Sequence, residues 1–219
     1  MRRNPDEFKS LDEVLEPDRR QIYYSVPDST AGFRRKELPD HYETIAQFSL
    51  HCGVPEPVRI HFDTARNLLL YAWFVYRFIQ VAEFHAFSSV EMALRLRFGY
   101  EDSPQSPRLG ALLRKALQRG LLKDEGFRLF RLENERREKD VADWPWPDDQ
   151  PAEVRDPLRY TRGLIGYICD SRNALAHGSP MLMPHGYRQL CTCCDVINQV
   201  CPEASGEPGA GEPRHEAEN

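Results

Sequence analysis

A chain of 219 residues fits one domain with appendages or two small domains, and it is long enough to bury a core without disulfide or metal staples. Its 41% hydrophobic and 29% charged content, with 11 Phe, 9 Tyr and 3 Trp, excludes a generally disordered chain. The net charge of −5 disfavours a uniformly basic nucleic-acid binder, but the charge is unevenly spread. From Cys201 onward five acids face one base, so the remainder of the chain is close to neutral. Between Arg95 and Lys139 twelve Lys or Arg stand against seven Asp or Glu. Such a stretch makes either a solvated helix face with a charged loop or a surface that attracts phosphates.

The opening Met1-Arg2-Arg3-Asn4-Pro5 has no apolar run behind it, which predicts no secretory leader and a cytoplasmic location. The six cysteines, Cys52, Cys169, Cys191, Cys193, Cys194 and Cys201, are then expected to be reduced thiols. The most apolar run, Leu68 to Tyr76, stops at Arg77, far short of the roughly 18 residues a membrane span needs, so no membrane partner is expected.

Along the chain, residues 1–60 carry prolines at 5, 17, 27, 39, 55 and 57. Their spacing predicts a mostly irregular N-terminal arm packed on the main body, with a short helix near Tyr42 to Leu50. Ile22, Tyr23, Tyr24 and Phe33 are its expected anchors. Residues 61–200 read as the helical domain. Asp63 offers an N-cap, and no Pro or Gly follows until Gly99. Leu68, Ala72, Val75, Ile79, Ala82, Ala86, Ser89, Ala93 and Leu96 form one apolar or small-residue seam, which lets a neighbour approach closely. Unbroken, this helix would be roughly 50 Å long, and a kink or break is expected near His85 to Ser89.

A compact helix follows from Pro107 to Gly120, striped by Leu109, Leu112, Leu113, Ala116 and Leu117. A weaker one runs from Glu125 to Arg137. The segment Asp143 to Asp149 reads as a loop whose Trp144 and Trp146 are packing anchors. Pro157 opens a further helix with Leu164, Ile168 and Leu175 inward, and Gly178 with Pro180 stops it. A last helix, Tyr187 to Val200, packs Leu190, Cys194, Ile197 and Cys201 on one side. Residues 201–219 form a disordered acidic tail. No strand pattern competes, and the class is all-α.

The segment with chemical content is Arg172-Asn173-Ala174-Leu175-Ala176-His177-Gly178. Asn173 and His177 are i and i+4 neighbours on a helix. Arg172 is five positions from His177, about 140° round an ideal helix, so the two converge on one phosphate only if the helix ends at the His or a second subunit completes the site. His177 meets the negative end of the helix dipole, which favours a cation. Imidazole suits proton transfer, and guanidinium suits a phosphate clamp. Arg35 and His41 have a similar spacing, but Pro39 between them prevents one helix from carrying both.

With this motif on its penultimate helix, the chain resembles the HEPN superfamily over roughly Phe62 to Val200. Members carry an Arg, usually followed by a polar residue, and a His after four to six intervening residues. Here Asn173 takes the polar slot and Ala176-His177-Gly178 is a typical ending. The resemblance implies a bundle of four to six helices and, in many members, metal-independent RNA cleavage by two motifs facing each other in a homodimer. Arg172, His177 and Asn173 would be the catalytic set, with no cofactor. RNA and an inhibitory protein partner are the implied partners, in a toxin, phage-defence or stress setting. Other members keep the fold as a non-catalytic module that binds RNA, a nucleotide or a protein. A branch modified on a Tyr two residues past the His has no counterpart here, where Ser179 stands.

Glu91 is a candidate for orienting Arg172 from the long helix, and Asp170 shares a helical face with Tyr160, Tyr167 and His177. Cys191-Thr192-Cys193-Cys194 contains a C-x-x-C pair near His185 and Cys201. Its placement inside a helix, without a second pair at zinc-finger spacing, favours buried thiols over metal ligands, and no metal is expected.

Overall fold

The computed structural model describes residues 4–30, 32–101, 103–143, 158–178 and 186–203. The expectations for Trp144, Trp146, Pro157, Ser179, Pro180, His185 and the tail beyond residue 203 fall outside these residues. Among the described residues the chain is all-α with one small hairpin. The helices are α1 (Leu38–Ala46), α2 (Glu56–Tyr71), α3 (Phe78–Phe98), α4 (Leu109–Gln118), α5 (Arg128–Asp143), α6 (Arg159–Ala176) and α7 (Gly186–Val200). Among the described residues α1 belongs to the arm, and α2 to α7 make six further helices because the long central helix is two. No helix among the described residues is long and apolar enough to cross a membrane.

The central helix breaks at Ala72 to Arg77, a dozen residues before the expected place, and α2 begins at Glu56 with Pro55 as its N-cap rather than at Asp63. Asp63 is an exposed mid-helix residue paired with Arg66 at 2.7 Å. The break contains neither Gly nor Pro, and it is held by groups from the arm. The carbonyls of Leu69 and Leu70 take backbone donors from Ala72 and Trp73 and gain a second donor from the arm, while those of Ala72 and Trp73 are met by the arm. Gln21 donates its side-chain amide to the Ala72 carbonyl at 3.2 Å, and the Asp18 N–H reaches the Trp73 carbonyl at 2.9 Å. His41 Nε2 lies 2.9 Å from the Leu69 carbonyl and 3.2 Å from that of Leu70.

The hydrogen positions around His41 follow from its neighbours. Carbonyls only accept, so Nε2 carries the hydrogen and Nδ1 accepts from the Tyr187 hydroxyl. That hydroxyl accepts in turn from Lys36 Nζ at 2.5 Å. The relay Lys36 to Tyr187 to His41 to the end of α2 ties the arm to the first turn of α7. Burial holds His41 down to about 4 and Lys36 down to about 8.

The arm thus anchors through polar as well as apolar residues, and three of its four expected apolar anchors are corrected. Ile22 is exposed, Tyr23 is 80% and Phe33 71% exposed; only Tyr24, bonded to the Tyr76 hydroxyl at 2.5 Å, packs inward. The buried anchors are Asp18, Gln21, Lys36, His41, Ile45 and Phe48. The arm also carries strands the sequence reading lacked: β1 (Ser25–Asp28) pairs antiparallel with β2 (Gly32–Arg35), in register Ser25 to Arg35. Four-residue strands, one containing Pro27, are too short for alternation to declare them. Its helix α1 begins at Leu38, ahead of the predicted start, with Pro39 in its first turn.

With α2 folded back on α3, Leu69 and Ile79 both lie beside Gly186 near the break, and His61 meets Ser89 further along. Ala72, Ile79, Ala82, Ala86, Ser89 and Ala93 of the expected seam are buried, and α3 packs on α2, α4, α6 and α7. Gly186 starts α7 so close that a Cβ there would lie 2.9 Å from both Leu69 and Ile79 side chains. Residues Gln189 to Ile197 are all buried, so α7 is central rather than one-sided.

Two buried groups oppose each other in their pH dependence. Glu83 on α3 is 5% exposed, its Oε1 has no partner among the described residues, and burial lifts it from 4.5 to about 7. A raised carboxyl makes the native state bind the proton more tightly, so stability falls as pH rises from 4.5 to about 7. His41, lowered from 6.5 to about 4, has the reverse effect over nearly the same range. Glu83→Gln should therefore gain little stability at pH 4 and roughly 3 kcal/mol at pH 8, measured by urea unfolding across that range. A gain that does not grow with pH would contradict this assignment.

Candidate functional site

Helix α6 is fixed at both ends. At its start the buried Asp124, from a single 3-10 turn, accepts the backbone N–H groups of Tyr160 at 3.0 Å and Thr161 at 2.9 Å, together with the Thr161 hydroxyl at 2.5 Å. A carboxylate from a distant segment thus does the work of an N-cap, satisfying orphan donors and the positive end of the helix dipole. Thr161, Ile165 and Ile168 face inward, with Leu164 and Leu175 half-buried beside them. Against α4, Gly110 permits close approach, since a Cβ there would lie 2.9 Å from Cys169 Sγ.

The other end supplies the motif. The helix stops at Ala176, and His177 is the C-cap, at φ −91° and ψ 10°, with its N–H on the Asn173 carbonyl at 3.0 Å. Gly178 follows at φ 76°, the left-handed turn that ends a helix most cheaply with glycine. The helix therefore ends where a joint use of Arg172 and His177 requires. Both side chains, with Asn173, line one groove of about 830 Å³ between α6, the second half of α3 and the start of α4. Asn173 and His177 are exposed, and Arg172 is half-buried.

Arg95, Arg108 and Arg114 also line this groove, so among the described residues four arginines share it with one acidic residue, Glu91. Glu91 Oε1 accepts from Arg95 Nη2 at 2.6 Å, and Oε2 lies 3.6 Å from Arg172 Nη2. The carboxylate is thus engaged closely with Arg95 and only loosely with Arg172, whose guanidinium also lies 5.9 Å from the Phe84 ring centre. Arg95 Nε and the Ser106 hydroxyl are buried without a hydrogen-bond partner among the described residues. Walls carrying excess positive charge in a concave site concentrate anions there.

Of the predicted residues, Arg172, Asn173, His177 and Glu91 come together. Asp170 does not: it is exposed on α6, and the groove is lined without it. The aromatic residues predicted to share its face point elsewhere. Tyr160 packs on Phe127 and Phe130, and the Tyr167 hydroxyl bonds the Gln189 side-chain amide. Arg95, Arg108 and Arg114 were legible only as members of the basic stretch, without any sign that they converge. Arg35 and His41 lie on separate elements, and His41 is a buried structural residue.

The cysteines of α7 are core thiols. Cys191 is pushed up to about 11 and Cys194 to about 12 by burial, and Cys193 is raised for the same reason. Among the described residues no group of three His, Cys, Asp or Glu is placed to hold a metal ion. No family model, curated protein or solved structure matches the chain.

Removing the trans cap should loosen the motif helix. Asp124→Ala is expected to cost about 2 kcal/mol in urea unfolding, at the upper end for a lost cap because two backbone donors and a buried hydroxyl lose their acceptor. An unchanged midpoint would show that the cap does not hold α6.

Proposed function

We propose that the groove binds an RNA phosphodiester and cleaves it without a metal, the chain acting as a HEPN-like endoribonuclease. The observation that carries this reading is the convergence of Arg172 and His177, through the stop at Ala176, on a groove with four arginines. Phosphate is the anion that such a cluster recognises best, because guanidinium forks match its oxygens. His177 removes the proton from a ribose 2′-hydroxyl, and that oxygen forms a bond to the adjacent phosphorus. Arg172, with Arg95 beside it, stabilises the charge gathering on the phosphoryl oxygens. The bond from phosphorus to the 5′-oxygen breaks as that oxygen takes a proton, leaving a 2′,3′-cyclic phosphate and a 5′-hydroxyl. A second His177, from the partner of a homodimer, is the proposed proton donor. A toxin, stress or phage-defence role, held in check by an inhibitory protein, fits an RNA-cutting activity.

One observation favours a second reading. Glu91 already engages Arg95 and approaches Arg172, as it would in a module that binds RNA, a nucleotide or a protein without chemistry. The exposure of His177 favours the first reading, since the N-terminal arm does not cover it.

Incubating purified protein with a mixed RNA pool in excess EDTA tests the choice. The nuclease reading predicts cleavage with cyclic phosphate ends, reduced at least about 100-fold in His177→Ala and in Arg172→Ala. Intact RNA with a folded, dimeric protein would point to the binding module instead.

A further inference from the structure

A second, smaller cleft of about 430 Å³ adjoins the groove and shares Glu91 and Arg95 with it. We infer that this cleft is a nucleobase subsite, selective for the guanine whose 3′-phosphate lies in the groove. The inference rests on reading the groove as a phosphodiester site. The common wall makes it specific: a strand with its phosphate at Arg95 and Arg172 has the neighbouring base beside the cleft.

The cleft offers an apolar lining and a row of acceptors, with Ser88 and the Arg95 of the shared wall as its other polar lining residues. Pro57, Met92 and Leu96 supply surface for the faces of a planar base, while His61, Glu91 and Glu101 supply polar edges. The state of His61 can be worked out from its contacts. Its ring stacks on His85 at 3.8 Å with 8° between the planes, and Nδ1 lies 2.8 Å from the Ser89 hydroxyl. Ser89 is fully buried and gives its single hydrogen to the His85 carbonyl at 2.9 Å. It can therefore only accept from His61, so Nδ1 carries the hydrogen and Nε2, on the opposite side of the ring, keeps its lone pair. Burial, and then the neighbouring His85, lower the His61 pKa, and burial lowers that of His85 as well, which favours the neutral form of both rings.

A cleft edged by carboxylates and a neutral imidazole acceptor selects bases by the donors they present. Guanine places a ring N–H and an amino group side by side, a pair that a single carboxylate accepts together. Adenine and cytosine each offer one amino group beside a bare ring nitrogen. Uracil has one N–H between two carbonyls, which a carboxylate repels. Guanine is accordingly favoured and uracil disfavoured. Glu101, the exposed carboxylate at the edge, is the better-placed partner, because Glu91 is occupied by Arg95.

Calorimetric titration of the full chain with 3′-GMP, 3′-AMP, 3′-CMP, 3′-UMP and inorganic phosphate tests this at low salt. The parent chain should bind 3′-GMP at least about tenfold more tightly than 3′-UMP. Glu101→Gln and His61→Ala should each shrink that spread, whereas Arg172→Ala should weaken all four nucleotides and phosphate together. Equal binding of the four nucleotides, or a spread that survives both cleft substitutions, would overturn the subsite. Because the readout is binding, the two readings fail separately. Base-selective binding by a chain that cuts no RNA would sink catalysis alone, and cutting without base selection would sink the subsite alone.

Discussion

The fold depends on how the carbonyl end of α2 is closed. An apolar stretch without Gly or Pro has every local reason to continue as helix, and continuing would carry α3 away from α2. Groups from the arm prevent this by supplying donors to the carbonyls of Leu69, Leu70, Ala72 and Trp73. Without the arm the Ala72 and Trp73 carbonyls would lose the donors they have in this turn, which is expensive for each buried group left without one. Because the break is closed by the arm, α2 returns along α3, His61 reaches His85, and α7 finds a slot between them.

The groove shows a second economy of the same kind. Asp124, a residue from a different segment, holds the start of α6, while His177 and Gly178 end it. Fixing both ends determines where Arg172 emerges, and Gly110 lets α4 come close enough to bring Arg108 and Arg114 to the same cavity. Glu91 holds Arg95 by a close ion pair and only approaches Arg172, so it does not neutralise the groove. An anion entering there meets donors already oriented, which lowers the ordering cost of binding.

The legible parts of the sequence were those whose signals are local. The stripe of α4, the Gly120 and Gly178 stops and the apolar face of α6 each depend on residues within a turn or two. Of the seam expected from Leu68 to Leu96, Ala72, Ile79, Ala82, Ala86, Ser89 and Ala93 are buried. Leu68, Val75 and Leu96 are only partly so, and the helix that was to carry the seam breaks. What escaped depends on partners far away in the chain. The break at Ala72 to Arg77 needs Asp18, Gln21 and His41. The inward role of Lys36 needs Tyr187, and the outward position of Phe33 follows from a hairpin too short to announce itself. For the site, the Arg172-to-His177 spacing could be read from helical geometry, and Glu91 was named as a candidate neighbour of Arg172, which it approaches at 3.6 Å. The convergence of Arg95, Arg108 and Arg114, and the stacked His61 and His85, come from packing between helices and have no signature in spacing.

The central claim is that Arg172 and His177 engage one phosphate together. It is tested most directly by recording the imidazole resonances of His177 while the protein is titrated with a dinucleotide carrying a 2′-deoxy sugar, which binds but cannot be cut. The account predicts that the His177 signals move on binding in the parent chain and lose that response in Arg172→Ala. Signals that stay unmoved while the dinucleotide binds, or that respond equally without Arg172, would contradict a shared phosphate site.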